Sequence, residues 1–189
     1  MAKSKPEMIK GKFTAGDLRS ETLKGQDVSG ENMDFSNIKG GSLVETDLSG
    51  CSIRGADLSF ADLTDANLSG ADLTGSDLRG AIFKGANLKG AVLNQTLLMR
   101  ADFTDANLRR AELCGADLQF AIFVGTNLKS ADLTGSDLRE SVYNEDTRWP
   151  RRFKPINHGA LPLKWLPDTL IKDSGLEEYI GAEALEDDD

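Results

Sequence analysis

Side chains able to do chemistry are thinly scattered along this chain, and their spacing argues against a catalytic centre. The single histidine, His158, is the one side chain whose ordinary pKa suits proton transfer near neutrality. It sits in a proline-rich stretch, apart from any nucleophile it could activate. Acid–base and nucleophilic catalysis both need a tuned partner within hydrogen-bond reach, so His158 reads as structural or solvent-exposed. Cys51 and Cys114 are too few for a disulfide framework, lie about three turns of the repeat apart, and lack the clustered Cys/His spacing of a zinc site. Carboxylates are plentiful, 31 Asp and Glu in all, but Asp recurs at one place in a short repeat, as expected of local hydrogen bonding at turns. A calcium-binding solenoid would need a glycine- and aspartate-rich nonapeptide, and the period here is five. No catalytic residue, no cofactor site and no metal site is expected, and the chain reads as a non-enzyme.

The elements that position these residues follow from that period. Every fifth residue from Phe13 to Tyr143 is apolar, 27 consecutive centres in a chain that is 39% hydrophobic. Five matches neither the 3.6 of a helix nor the 2.0 of a strand. Two residues before the centre the chain is small, with Ala in 13 of 27 cases, and one residue before it Asp or Asn fills 17 of 27. Two residues after the centre Gly fills 13 of 27 places. Glycine in the third place of a four-residue turn suits a type II turn, where that residue takes positive φ. Each pentapeptide reads as a corner.

The run ADLSF-ADLTD-ANLSG-ADLTG-SDLRG, residues 56–80, resembles the pentapeptide-repeat family, whose consensus is A(D/N)LXX, and members from photosynthetic bacteria and plants in particular. The resemblance implies an all-β fold, a right-handed quadrilateral (four-sided) parallel β-helix solenoid with the centre and the small residue pointing inward. The sequence offers its own check on the four sides. Phe83, Phe103, Phe123 and Tyr143 are 20 residues apart, as are Asn67, Asn87, Asn107 and Asn127; coils stacked ~4.8 Å apart would bring each row into a ladder. No proline falls between Pro6 and Pro150, as expected where each backbone N–H is needed for pairing. The rod would be roughly 32 Å long at ~4.8 Å per coil, with an interior too narrow and full for a ligand.

The expected organisation is an N-terminal extension at 1–10, the solenoid at 11–145, and a C-terminal cap and acidic tail at 146–189. The first inward positions are irregular, with Gly11, Gly16, Glu21, Gln26 and Glu31 in the small places. Past Tyr143 both Trp and four of the five Pro appear; Trp149 and Phe153 are expected to cover the last coil. Ser174 and Glu177 have the spacing of a capping box for a short helix. The opening residues MAKSKPEMIKGKF lack the apolar run of a signal peptide, and no stretch approaches a membrane span. These features lead to the expectation of a soluble, cytoplasmic protein in a reducing compartment, with no membrane insertion. A net charge of -9 argues against direct nucleic-acid binding.

The favoured function is a scaffold or protein-protein interaction module acting through a rigid surface, its protein partner unknown and a homodimer included among the candidates. The alternative comes from the resemblance. The family includes quinolone-resistance proteins that bind DNA gyrase, a type II topoisomerase, as DNA-mimicking decoys. Residues 11–145 carry 20 acids and 13 bases, about one net charge per ~4.6 Å of rod, against one per ~1.7 Å for duplex DNA. Charge is also uneven. The aromatic side has Glu21, Glu45, Asp62, Asp65, Asp102, Asp105 and Glu145 against Lys24 and Lys84, whereas the next side has Lys89, Arg109, Arg110 and Lys129 against Asp27 and Asp47. The candidate interface is an outward apolar stripe of Ile82, Phe120, Ile122, Val124 and Val142, with Val92, Leu97 and Met99 nearby. Its competitor is a tail that folds back over the stripe using Leu161, Leu163, Trp165 and Leu170.

Overall fold

A computed structural model describes residues 23–167 and 169–171. The N-terminal extension, Gly11, Gly16, Glu21, the Ser174–Glu177 capping box and the acidic terminus lie outside the described residues. Parallel bridges join each residue before a centre to the one 20 residues later, from Asp27 with Asp47 through Ile122 with Val142. One coil is therefore four pentapeptides, and the chain climbs as a β-solenoid. Each centre from Leu23 to Leu128 donates its N–H up the rod, and each residue before a centre from Asp47 to Val142 donates down, as Leu48 N to Asn67 O at 2.7 Å and Asp47 N to Gln26 O at 2.8 Å. Every corner thus ties both of its neighbours, which satisfies the buried backbone polar groups.

At the corners the turn closes on itself, as in Ala61 N to Leu58 O at 3.0 Å. The residue two after each centre has positive φ at all positions from Gly25 to Glu140, whether glycine or not; Gly50 lies at 66° and Glu45 at 56°. With the preceding residue in the ordinary half of φ space, this is the type II geometry. Asp at the outward place reinforces the turn. Asp62 Oδ1 accepts from Thr64 N at 3.0 Å and from Thr64 Oγ1 at 2.6 Å, and Asp72, Asp102 and Asp132 do the same with Thr74, Thr104 and Thr134.

The core is a column of Leu, Ile, Met and Phe centres with Ala between them, nearly all fully buried. Where Ser, Thr or Cys replaces Ala, its side chain donates to a backbone carbonyl at every described position except Ser36, whose buried hydroxyl has no partner. Thr46 Oγ1 reaches Leu23 O at 2.7 Å and Ser76 Oγ reaches Ile53 O at 2.6 Å. Phe83, Phe103 and Phe123 stack with centroids 4.9 and 5.4 Å apart and planes within 7°. Gln26 and Glu31 occupy inward places at the open end yet remain half-buried, while the ladder stays regular from Asp27 onward.

Tyr143 does not extend the aromatic stack as its spacing suggested. The turn after it holds one extra residue, so Arg148 bridges Asn127 across 21 positions instead of 20. Thr147 takes the small inward place, donating to Phe123 O at 2.7 Å, and Trp149 becomes the next centre. Its ring meets Phe123 at 5.6 Å and Tyr143 edge-on at 5.5 Å. Phe153 stacks on Trp149 at 5.4 Å, and His158 on Phe153 at 4.5 Å. The non-repeating segment then lays one more partial coil over the rod. Its strand Leu161–Pro162 (β2) pairs in parallel with Val142–Tyr143 (β1), and short 3-10 helices at Pro155–His158 and Leu163–Trp165 flank β2.

Candidate protein-binding surface

Two periodicities decide which apolar side chains face outward. Residues one before or one after a centre lie on a flat side, and residues two after it lie on an edge between sides. Phe60, Arg100 and Phe120 share the edge that joins the fourth side, with Leu58, Leu78, Leu98 and Leu118 at its centres, to the aromatic side. Phe60 is 64% exposed and Phe120 38%. Beside that edge stand Ile82 on the aromatic side, at 36%, and Leu97 on the fourth side, at 42%. A guanidinium or ammonium covers each ring: Arg100 lies 5.8 Å from the Phe120 centroid and Lys39 Nζ 5.9 Å from that of Phe60. The Phe60 ring also packs against Gly80, where an added Cβ would fall 2.8 Å from its Cδ1.

Val124 leaves the expected stripe. It is fully buried in a second small core with Leu163 and Ile171, against which Ile122, Val142 and Leu166 pack. The non-repeating segment reaches it because pairing of β2 on β1 places Leu163 in the same row of the aromatic side as Val124. Of the residues expected to cover the stripe, Leu163 does so and Leu161 is half-buried, whereas Trp165 and Leu170 are 60% and 54% exposed. The five-residue candidate set is thus divided, with Ile82 and Phe120 outside and Val124, Ile122 and Val142 beneath or beside the covering segment. Phe60 belongs with Phe120, and the sequence carried the signal for it: both occupy the edge position, three coils apart.

The titratable groups are arranged for local turn structure. Arg79 and Arg139 bind the Asp two residues earlier, and those charge-assisted hydrogen bonds hold the Asp77 and Asp137 carboxyls below the usual range. Burial pushes the Cys51 thiol up to about 11, and its Sγ donates to Val28 O at 3.0 Å. Cys114 is half-buried, with its pKa also raised, first by desolvation and then by Asp132. His158 is exposed over its stack on Phe153, beside a shallow open depression lined by Leu133, Arg151 and Phe153. Among the described residues no group of three or more His, Cys, Asp or Glu could hold a metal ion, and no helix is long and apolar enough to cross a membrane. Among the described residues, large exposed apolar side chains at Phe60, Ile82, Leu97 and Phe120 lie on one edge and the sides that adjoin it.

The pentapeptide-repeat family model, in eight copies, matches residues 41–80, 81–119 and 115–142, more than half of the chain. The chain belongs to the pentapeptide-repeat family. Proteins with these repeats fold as right-handed quadrilateral β-helices, and the 20-residue bridges of this pentapeptide-repeat chain fit that plan. It is similar to the solved HetL, a pentapeptide repeat protein involved in heterocyst differentiation regulation in Nostoc sp. strain PCC 7120, at 23% identity over 65% of this chain and 73% of HetL, TM-score 0.40. A pentapeptide repeat protein of the Arabidopsis thaliana thylakoid lumen is 28% identical over 57% of this chain and 68% of its own, TM-score 0.32. Full-length QnrB1, a plasmid-mediated fluoroquinolone resistance protein, is 16% identical over 90% and 99%, TM-score 0.27. No curated protein matches the chain.

Proposed function

We propose that this pentapeptide-repeat protein is a non-enzymatic scaffold that holds a protein partner against the edge carrying Phe60, Ile82, Leu97 and Phe120. The observation that supports this reading is the exposure of these four large apolar side chains along one edge of a rod whose interior is filled. Scattered exposed apolar residues are ordinary on a soluble protein, whereas a contiguous row rimmed by charge marks an interaction site. Aromatic and arginine side chains are also the types that dominate interface hot spots, and here Arg100 sits between Phe60 and Phe120 on the same edge.

Phe60→Ser with Phe120→Ser tests the proposal, because both rings project outward and the core column does not depend on them. The variant should melt within about 1 kcal/mol of the parent, as surface changes do. It should also lose a protein that the parent retains when both are used to capture partners from the same host extract. Sedimentation of the two proteins separates a partner from a second copy: a dimer that the variant abolishes makes the partner this chain itself. Equal capture and equal oligomeric state for both proteins would remove this edge as the site.

A further inference from the structure

The side of the rod that follows the aromatic side carries a run of cations on its upper coils, while its acids, Asp27 and Asp47, stand on lower coils in the asparagine row. Lys89, Arg109 and Lys129 occupy the same outward place on three successive coils, Arg110 stands on the adjoining edge, and Arg148 continues the asparagine row above Asn127. All five are exposed. The ion pairs of the described residues involve Arg54, Arg79, Lys84 and Arg139 and none of these five. The asparagines beside them are already engaged. Asn87 Nδ2 donates to Asn67 Oδ1 at 3.0 Å and Asn107 Nδ2 to Asn87 Oδ1 at 3.2 Å, and their carbonyl oxygens also accept from Lys89 N and Arg109 N. The result is a flat polar side with a cationic stripe about 14 Å long, three coil steps of ~4.8 Å. Such a stripe is unexpected on a chain of net charge -9.

The rest of the chain contains a segment of opposite charge. Residues 172–189 hold eight Asp and Glu against one Lys, a net -7 in eighteen residues. They follow Ile171, which is packed against Val124, and Val124 immediately precedes the Gly125 corner that leads to the cationic side. Eighteen residues reach up to ~60 Å when extended, so the 14 Å stripe is well within range. An attached segment meets its site at a high effective concentration, so a weak electrostatic attraction suffices to hold it there.

We propose that the cationic side formed by Lys89, Arg109, Arg110, Lys129 and Arg148 is the docking surface of the chain's own acidic segment, residues 172–189. Docked there, the segment neutralises the stripe and screens it from other polyanions. The inference is independent of the apolar edge, which lies across the rod between the fourth and aromatic sides.

Zero-length carbodiimide cross-linking of the full chain, followed by peptide mass spectrometry, tests this directly, since it joins lysine to carboxylate only in contact. At low salt the acids between Glu177 and Asp189 should link to Lys89 and Lys129 within one molecule, and the yield should fall several-fold in 0.5 M salt, where exposed pairs are screened. Mixing isotopically light and heavy protein distinguishes the alternatives: mixed-mass links would make the occupant a second copy and overturn the proposal. Links confined to Lys39, Lys84, Lys154 or Lys164, or no links, would overturn it as well. A second measurement uses poly-L-glutamate as the probe. Converting Glu183 and Glu186 to Gln and Asp187, Asp188 and Asp189 to Asn should tighten probe binding at least tenfold at low salt. Further Arg109→Gln and Lys129→Gln changes should abolish that gain. Equal probe affinity with and without the terminal charges would show that the segment does not occupy the stripe.

Discussion

A single position in the pentapeptide decides whether a side chain is structural or available, and Cys51 and Gly50 show how sharply. Cys51 fills an Ala place, is 1% exposed, and has its thiol pushed up to about 11 by burial. At pH 8 its thiolate is then on the order of one part in a thousand, and the thiolate is the reactive species. We expect a disulfide reagent to leave Cys51 untouched in the native protein at pH 8 and to modify it after denaturation. Rapid native labelling at that position would place the side chain outside the core. One residue earlier, Gly50 sits at φ 66° with open space where a Cβ would point, so replacing it tests backbone strain alone. Gly50→Ala should cost about 1 kcal/mol in a chemical melt, since an L side chain is disfavoured in the left-handed region. Glu45→Gly, at φ 56°, should be neutral or stabilising by a similar amount. A loss of stability in both would mean that side-chain contacts at the edges outweigh the turn geometry.

At the scale of elements, the solenoid is a stack of turns in which each coil depends on the ones above and below, so its ends decide whether it is closed to further stacking. Unpaired strand edges invite association, and folded proteins cover them. Here the upper end is closed by Trp149 and Phe153, which extend the aromatic column, and by β2 on β1. Trp149→Ala should therefore lower stability by about 3 kcal/mol, in the range for truncating a large aromatic in a core. Trp165→Ala, at an exposed site, should change it by less than about 0.5 kcal/mol. Thermal unfolding followed by circular dichroism reads both, and equal effects would mean that Trp149 does not cap the column. The same segment carries Leu163 and Ile171 onto Val124, so the cap and the covering of the aromatic side are one structural unit.

For the whole molecule, charge distribution separates the two functional readings. A decoy for DNA needs dense and continuous negative potential, since a duplex presents one charge per ~1.7 Å. This rod instead carries Lys89, Arg109, Arg110 and Lys129 along one side, and its acids are largely tied into turns. We expect DNA gyrase to supercoil plasmid normally in the presence of micromolar protein. Inhibition that strengthens as salt is lowered would favour the decoy reading. The scaffold reading requires only a rigid rod with an exposed edge. A filled column of side chains with almost no solvent exposure supplies the rigidity, because close-packed interiors deform little.

Much of this architecture was legible in the sequence because the repeat makes long-range pairing a local property. Each pentad carries its own turn residues, and stacking on the residue 20 positions away follows once four turns close a coil. The inward Leu and Ala, the Phe83–Phe103–Phe123 stack and the Asn67–Asn87–Asn107 amide ladder could therefore be placed by counting. Counting also carried the outward row of Ile82 and Phe120, and would have carried Phe60 had the edge position been followed down the rod. For the non-repeating segment the sequence pointed to Trp149 and Phe153 as the cover of the last coil, but only the tertiary structure decided the register in which the segment returns. One extra residue after Tyr143 makes Trp149 the centre above Leu128, from where its ring reaches Phe123, and the returning chain buries Val124 while leaving Trp165 and Leu170 in solvent. No period extends into residues 146–171, so their register is set by packing against a surface that exists only once the coils have stacked.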